Sequence, residues 1–196
     1  AFVSLQQKLA MQTAALLDRL KAECRYVIGE TEKLKHLTLD TLSWRQDAQS
    51  WNILECVEHL NRYGVFYLPA IESAIRNARK TPGDHFAGGW LGRYFAKSML
   101  PKAKLNKMKT FKDKNPLNAP LDSSVIEVCI QQQIKMMELI ERSRQVSLDI
   151  RVDTSLSKLL RLKLGDTFQF VINHNLRHME QIKNVLMSQS PRQSQP

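Results

Sequence analysis

Thiols are the scarcest reactive groups in this chain. Cys24, Cys56 and Cys129 are odd in number, far apart, and none belongs to a CxxC pair. A disulfide framework is therefore excluded, and a zinc–thiolate site has nothing to build on. The three read as small buried residues on helices, in a reducing, cytoplasmic setting. Long apolar runs are missing too, so no segment is expected to span a bilayer. The first residues, Ala1 to Lys8, lack the basic start and continuous apolar stretch of a secretory signal. The chain starts without Met, which leaves room for a segment upstream. Neither an internal repeat nor a strand signal stands out.

Acid is in deficit. Nineteen Asp and Glu oppose 29 Lys and Arg, giving a net charge of +10 and a pI of about 9.7. That balance suits a nucleic acid, an anionic membrane or an anionic small substrate. No basic motif with interleaved aromatics is apparent and no nucleic-acid module is recognisable, so nucleic acid is not the expected partner. An anionic small substrate accounts for the positive potential at least as well. With 43% hydrophobic and 24% charged residues over 196 positions, one globular domain with a sizeable core is expected.

What the chain has in quantity is helical period. Leu5, Leu9, Thr13, Leu16, Leu17, Leu20, Cys24, Val27 and Ile28 recur in steps of mostly three and four, one face of a long helix that Gly29 weakens or ends. Asn52, with Glu55 three residues on, is a capping box that opens a second helix reaching about Arg79. Ile53, Val57, Leu60, Gly64, Tyr67 and Ile71 form one of its stripes; Cys56, His59, Tyr63 and Phe66 form the next. Pro69 should kink it. Asp122 or Ser123 caps a third helix, with apolar positions Ile126, Ile130, Ile134, Met137 and Ile140. Asp166, with Gln169 three residues on, caps a fourth, which carries Phe170, His174, His178 and Gln181 on one stripe.

Between the second and third helices, residues 80–121 hold many breakers, among them Pro82-Gly83, Gly88-Gly89, Gly92 and Pro116. Trp90, Leu91, Tyr94 and Phe95 form a short helix over the bundle end, and the lysines from Lys97 to Lys114 read as a solvated surface. Leu156, Leu159 and Leu160 form either a short helix or a loop capped by Ser155. The expected fold is all-α, a four-helix bundle over residues 1–187 with a long crossover between helices 2 and 3. A disordered tail, 188–196, follows.

Two of the five histidines, His174 and His178, stand one helical turn apart on one face. Such a pair can chelate a divalent ion, and it can also arise by chance. A metal needs at least one more ligand, and the candidate is His59, at the border of the second helix's buried arc. His36, read as solvated, and His85, read as lying in a turn, have no neighbour at chelating spacing. Glu55, one turn before His59, could orient that ring or act as a base, although the capping box is its plainer role.

With these residues in place, the chain resembles the DinB/YfiT-like family of four-helix bundles. The match rests on the histidine in Glu58-His59-Leu60 after a Trp-led helix start, and on His174-x-x-x-His178. Leu42-Ser43-Trp44-Arg45 before Trp51-Asn52, and Gly165-Asp166 ahead of the paired histidines, extend it. It spans roughly Leu5 to Met187. The resemblance implies a divalent metal, commonly nickel or zinc, held by His59, His174 and His178 and completed by water. It also implies either transfer of a low-molecular-weight thiol to a small electrophile or hydrolysis of a small substrate, in bundles that often pair as homodimers. The lysine-rich crossover lies outside the family's motif. Two other readings stand beside this one: a non-catalytic helical binding protein with a structural or vestigial metal site, and a basic surface-binding protein that uses the 97–114 lysines.

Overall fold

The helical period of the sequence becomes six α-helices in the computed structural model, which describes residues 11–101 and 110–189. They are α1 (Thr13–Leu34), α2 (Leu39–Ser43), α3 (Ile53–Arg76), α4 (Trp90–Ser98), α5 (Ser124–Arg142) and α6 (Leu164–Gln189). Two small antiparallel pairs accompany them. β1 (Met11–Gln12) pairs with β2 (His85–Phe86), and β3 (Arg151–Thr154) with β4 (Ser157–Lys163). The chain is mostly helical. α5 and α6 each pack against both α1 and α3, so the four long helices lie side by side. No helix among the described residues is long and apolar enough to cross a membrane.

Local chemistry explains where the helices begin and end. α3 opens on the expected capping box: Asn52 Oδ1 accepts from Glu55 N at 2.8 Å and Asn52 N donates to Glu55 Oε2 at 2.9 Å. Its expected stripe is buried, and the helix carries on through Pro69 to end at Arg76, three residues early. At the start of α5, Asp122 Oδ1 caps Ser124 N at 2.8 Å, and the Ser123 side chain does not take part. Ile134 is exposed and Gln133 takes the inward position, because steps of three rather than four keep to the buried face there. α1 runs past Gly29 to Leu34, adding Thr31 and Leu34 to the buried face. A lone helical glycine costs about 1 kcal/mol, too little to break a helix buried along its length. Leu5 and Leu9 lie outside the described residues.

Three expectations are corrected. Residues 149–163 are neither a short helix nor a loop but the β3–β4 hairpin. Val152 and Thr154 point inward, and Leu159 is 96% exposed. Leu156, Leu159 and Leu160 have helical spacing, but the turn is pinned instead by Tyr67, whose hydroxyl contacts Ser155 Oγ at 3.1 Å and accepts from Ser155 N at 3.2 Å. Asp166 is not an N-cap. β4 runs directly into α6, and the first helical amides find backbone carbonyls: Leu164 N donates to Ile150 O and Gly165 N to Leu148 O. The Asp166 side chain is instead buried against α4, where it accepts from Gly89 N at 2.8 Å. His85 lies in β2, exposed, and not in a turn. At the other end, α6 continues through Ser188 and Gln189, two residues into the expected tail. The rest of that tail lies outside the described residues, as do Lys102 to Lys109 of the lysine run.

α4 is the short helix expected around Trp90, laid along α6. Gly88 and Gly92 let it approach closely, since a Cβ on either would fall within 2.4 Å of the Asp166 carboxyl group. Asn173 Nδ2 donates to Ala96 O, and Lys163 Nζ to Ala87 O.

The core falls into two apolar clusters. One gathers residues such as Leu20, Tyr67, Met136 and Phe168; the other gathers Val27, Ile53, Ile126 and Ile182. Buried polar residues occupy the boundary between them: Asn61 on α3, Gln133 on α5, and His174, Asn175 and His178 on α6. The amides among them are tied in place, Asn175 Nδ2 donating to Gln133 Oε1 and Asn61 Nδ2 to Val125 O.

Candidate metal centre

His59 reaches the polar boundary from α3, and His174 and His178 reach it from α6. All three rings are buried, between 3% and 7% exposed. His59 Nε2 and His178 Nε2 each lie 3.1 Å from His174 Nε2. The three ligand atoms all fall within 4.8 Å of one another. A tetrahedral ion about 2.0–2.1 Å from each imidazole would hold the nitrogens about 3.4 Å apart, so the spacing suits a single ion. His36 and His85 are both exposed.

Proton bookkeeping supports the same fit. His59 Nδ1 lies 2.7 Å from the main-chain carbonyl of Lys114. A carbonyl only accepts, so the ring proton sits on Nδ1 and Nε2 presents a lone pair. His174 Nε2 faces that lone pair and His178 Nε2 at once. One shared proton cannot satisfy three converging nitrogens as a cation would. His174 Nδ1 is buried without a hydrogen-bond partner. His178 Nδ1 also lacks a well-formed bond, although the Gln181 side chain lies close enough to favour a proton on that ring.

Burial holds all three rings neutral. It pushes His59 down to about 4, opposed by the Lys114 carbonyl and assisted by the Arg62 and Lys114 cations. It holds His174 and His178 well below the usual imidazole range, with the neighbouring imidazoles and Arg177 adding to the effect. Neutral imidazole is the form that binds metal.

Aromatic rings wall the centre. Trp51 stacks on His178 at 5.9 Å and lies 4.7 Å from His59, while Tyr63 lies 4.5 Å from His174. Burial raises the Tyr63 phenol to about 12, so it stays protonated and can donate a hydrogen bond. Lys114 Nζ sits 6.0 Å over the Tyr63 ring.

A strap formed by residues 113–118 lies across this wall. Arg62 donates to Asn115 O at 2.9 Å, Trp51 Nε1 to Asn115 Oδ1 at 3.1 Å, and Arg45 to Asn118 Oδ1 at 2.9 Å. Asn118, at φ 62°, turns the chain so that its amide donates to Glu55 Oε1 at 2.6 Å. Arg45 donates to the same oxygen at 2.9 Å. Glu55 is therefore a buried clamp whose two oxygens serve α3, Arg45 and the strap. Its capping role is realised, and its engaged oxygens leave little to act as a base. Cys56 is a core residue whose thiol burial pushes up. All three cysteines are free and buried. Sequence reasoning missed the strap, for which Pro116 gave only a sign of broken helix.

A family model described as the DinB superfamily matches residues 29–182, more than three quarters of the chain. No curated protein and no solved structure matches it.

Proposed function

Because the chain belongs to the DinB superfamily and draws three buried imidazoles to one point, we propose that it is a divalent-metal-dependent enzyme. His59, His174 and His178 would hold the ion, with nickel or zinc the best suited. The reaction would be transfer of a low-molecular-weight thiol to a small electrophile, or hydrolysis of a small substrate. In this reading the four long helices form a four-helix bundle over residues 1–187, with residues 77–123 as its crossover. The carrying observation is the convergence of three Nε2 atoms from two helices, with the His59 tautomer set by Lys114 O.

When bound, the ion supplies a Lewis acid that lowers the pKa of a thiol or water donor. The chain's own residues do the remainder. The Lys114 carbonyl keeps the His59 proton on Nδ1. Trp51 and Tyr63 exclude bulk water, which strengthens every charge interaction inside. The Tyr63 phenol, kept protonated by burial, would donate to a developing negative charge. Arg62 and Lys114 make the surroundings positive, which suits an anionic substrate.

The test is elemental analysis of full-length protein purified without a metal-binding tag. About one ion per chain is expected. His59→Ala should weaken loading by more than the roughly 10–100-fold that outer-shell changes cost, and should abolish thiol consumption in a screen against electrophiles. Full occupancy in that variant would sink the assignment. The near-complete burial of the three rings favours a second reading, a structural or vestigial metal site; metal loading without turnover of any thiol or ester would select it.

A further inference from the structure

One helix face has no role in the centre. On α4, Trp90, Arg93, Tyr94 and Lys97 follow the i, i+3, i+4, i+7 spacing that defines a single face, and all four are exposed. Trp90 is 76% exposed and Tyr94 64%. No acidic residue occurs between Asp84 and Asp113. Aromatic and basic residues do interleave here; the pattern escapes a linear reading because it appears only at helical spacing.

The exposure does not reflect a loosely held helix. Gly92 and Ala96 are buried on the opposite side, and Phe95 packs partly into the core. Asp166 holds Gly89 N, Asn173 holds Ala96 O and Lys163 holds Ala87 O. The helix is fixed from behind, so its outward face is presented to solvent in a set orientation. Exposed Trp and Tyr side chains, each an apolar ring with a polar handle, suit the headgroup level of a bilayer, and cations beside them suit anionic lipid.

Alternative occupants fit less well. A second copy meeting this face symmetrically would set Arg93 and Lys97 against their own counterparts, with no acid on the face to pair them. Single-stranded nucleic acid stacks its bases along a basic groove, and this face is the convex side of a short helix.

We propose that the outward face of α4 is a docking site for anionic membrane surfaces, with Trp90 and Tyr94 seated among the headgroups and Arg93 and Lys97 against lipid phosphates. The attachment is peripheral and reversible. It is independent of the metal reading.

The test uses the full chain and two kinds of vesicle, phosphatidylcholine alone and phosphatidylcholine mixed with phosphatidylserine. Sedimentation should show binding to the mixed vesicles that declines with salt, and little binding to the neutral ones. Trp emission should shift to the blue on binding, and that shift should vanish in Trp90→Ala. Arg93→Gln with Lys97→Gln should weaken binding by about thirty-fold. Trp90→Ala with Tyr94→Ala should weaken it at least as much, with unfolding temperature unchanged because both rings are exposed. Failure of the parent chain to bind mixed vesicles at low salt overturns the proposal, as does undiminished binding by the variant lacking all four side chains. Two further results would also overturn it. Tighter binding of single-stranded RNA, lost in the same variants, would assign the face to nucleic acid. A dimer that dissociates on Trp90→Ala would assign it to a second copy.

Discussion

His59 shows how far one side chain can be prepared by its surroundings. Its proton is placed by a carbonyl 55 residues away in sequence, and its charge is suppressed by burial. That suppression has a pH consequence. An imidazole in an unfolded chain takes up a proton near pH 6.5, whereas folded His59 resists until about 4. Between those values the unfolded state holds more protons, so stability rises with pH and is lost as pH falls through the window. Metal-free protein should show urea midpoints that drop from about pH 6.5 toward about pH 4, and His59→Asn should make the drop shallower. Identical slopes in the two proteins would contradict this. The histidine pair was legible because i, i+4 spacing survives in any helix, and His59 because it borders an apolar stripe. Lys114 was not, since a main-chain acceptor leaves no mark on residue type.

Among the elements, α4 and α6 show what a helical glycine can mean. Gly29 lies mid-helix in α1, and a Cβ there meets nothing within 4 Å. Gly92 lies in the first turn of α4, and a Cβ there falls 2.3 Å from the Asp166 carboxyl, which is held by Gly89 N. Gly29→Ala should therefore stabilise by about 0.5–1 kcal/mol through helix propensity. Gly92→Ala should destabilise by about 1–3 kcal/mol through overpacking. Urea unfolding of both variants checks the contrast, and equal signs would refute it. The long helices were legible because each buries a stripe along its whole length. The hairpin was not: β3 has four residues, and Leu159 breaks the alternation of β4 by facing solvent. The role of Asp166 was hidden because a neighbouring helix recruits it, an effect no local pattern records.

For the whole molecule, the candidate centre ties α3 to α6 at the boundary between the two apolar clusters. An ion that binds only the folded chain adds about 2.7 kcal/mol at a hundred-fold excess over its dissociation constant, which in a chain of this size is about 5–11 °C in unfolding temperature. Calorimetry with and without a chelator should show that difference, and His59→Ala should remove it. An unchanged melting point on chelation of loaded protein would place the ion elsewhere. The strap bears on this coupling, because residue 114 fixes the proton of His59 with its backbone carbonyl and not with its ammonium group. Genetic drift there can exchange lysine for almost any other amino acid and leave the tautomer of position 59 intact. An insertion or deletion between 110 and 118 would shift that oxygen and disable the chelate without altering a single ligand.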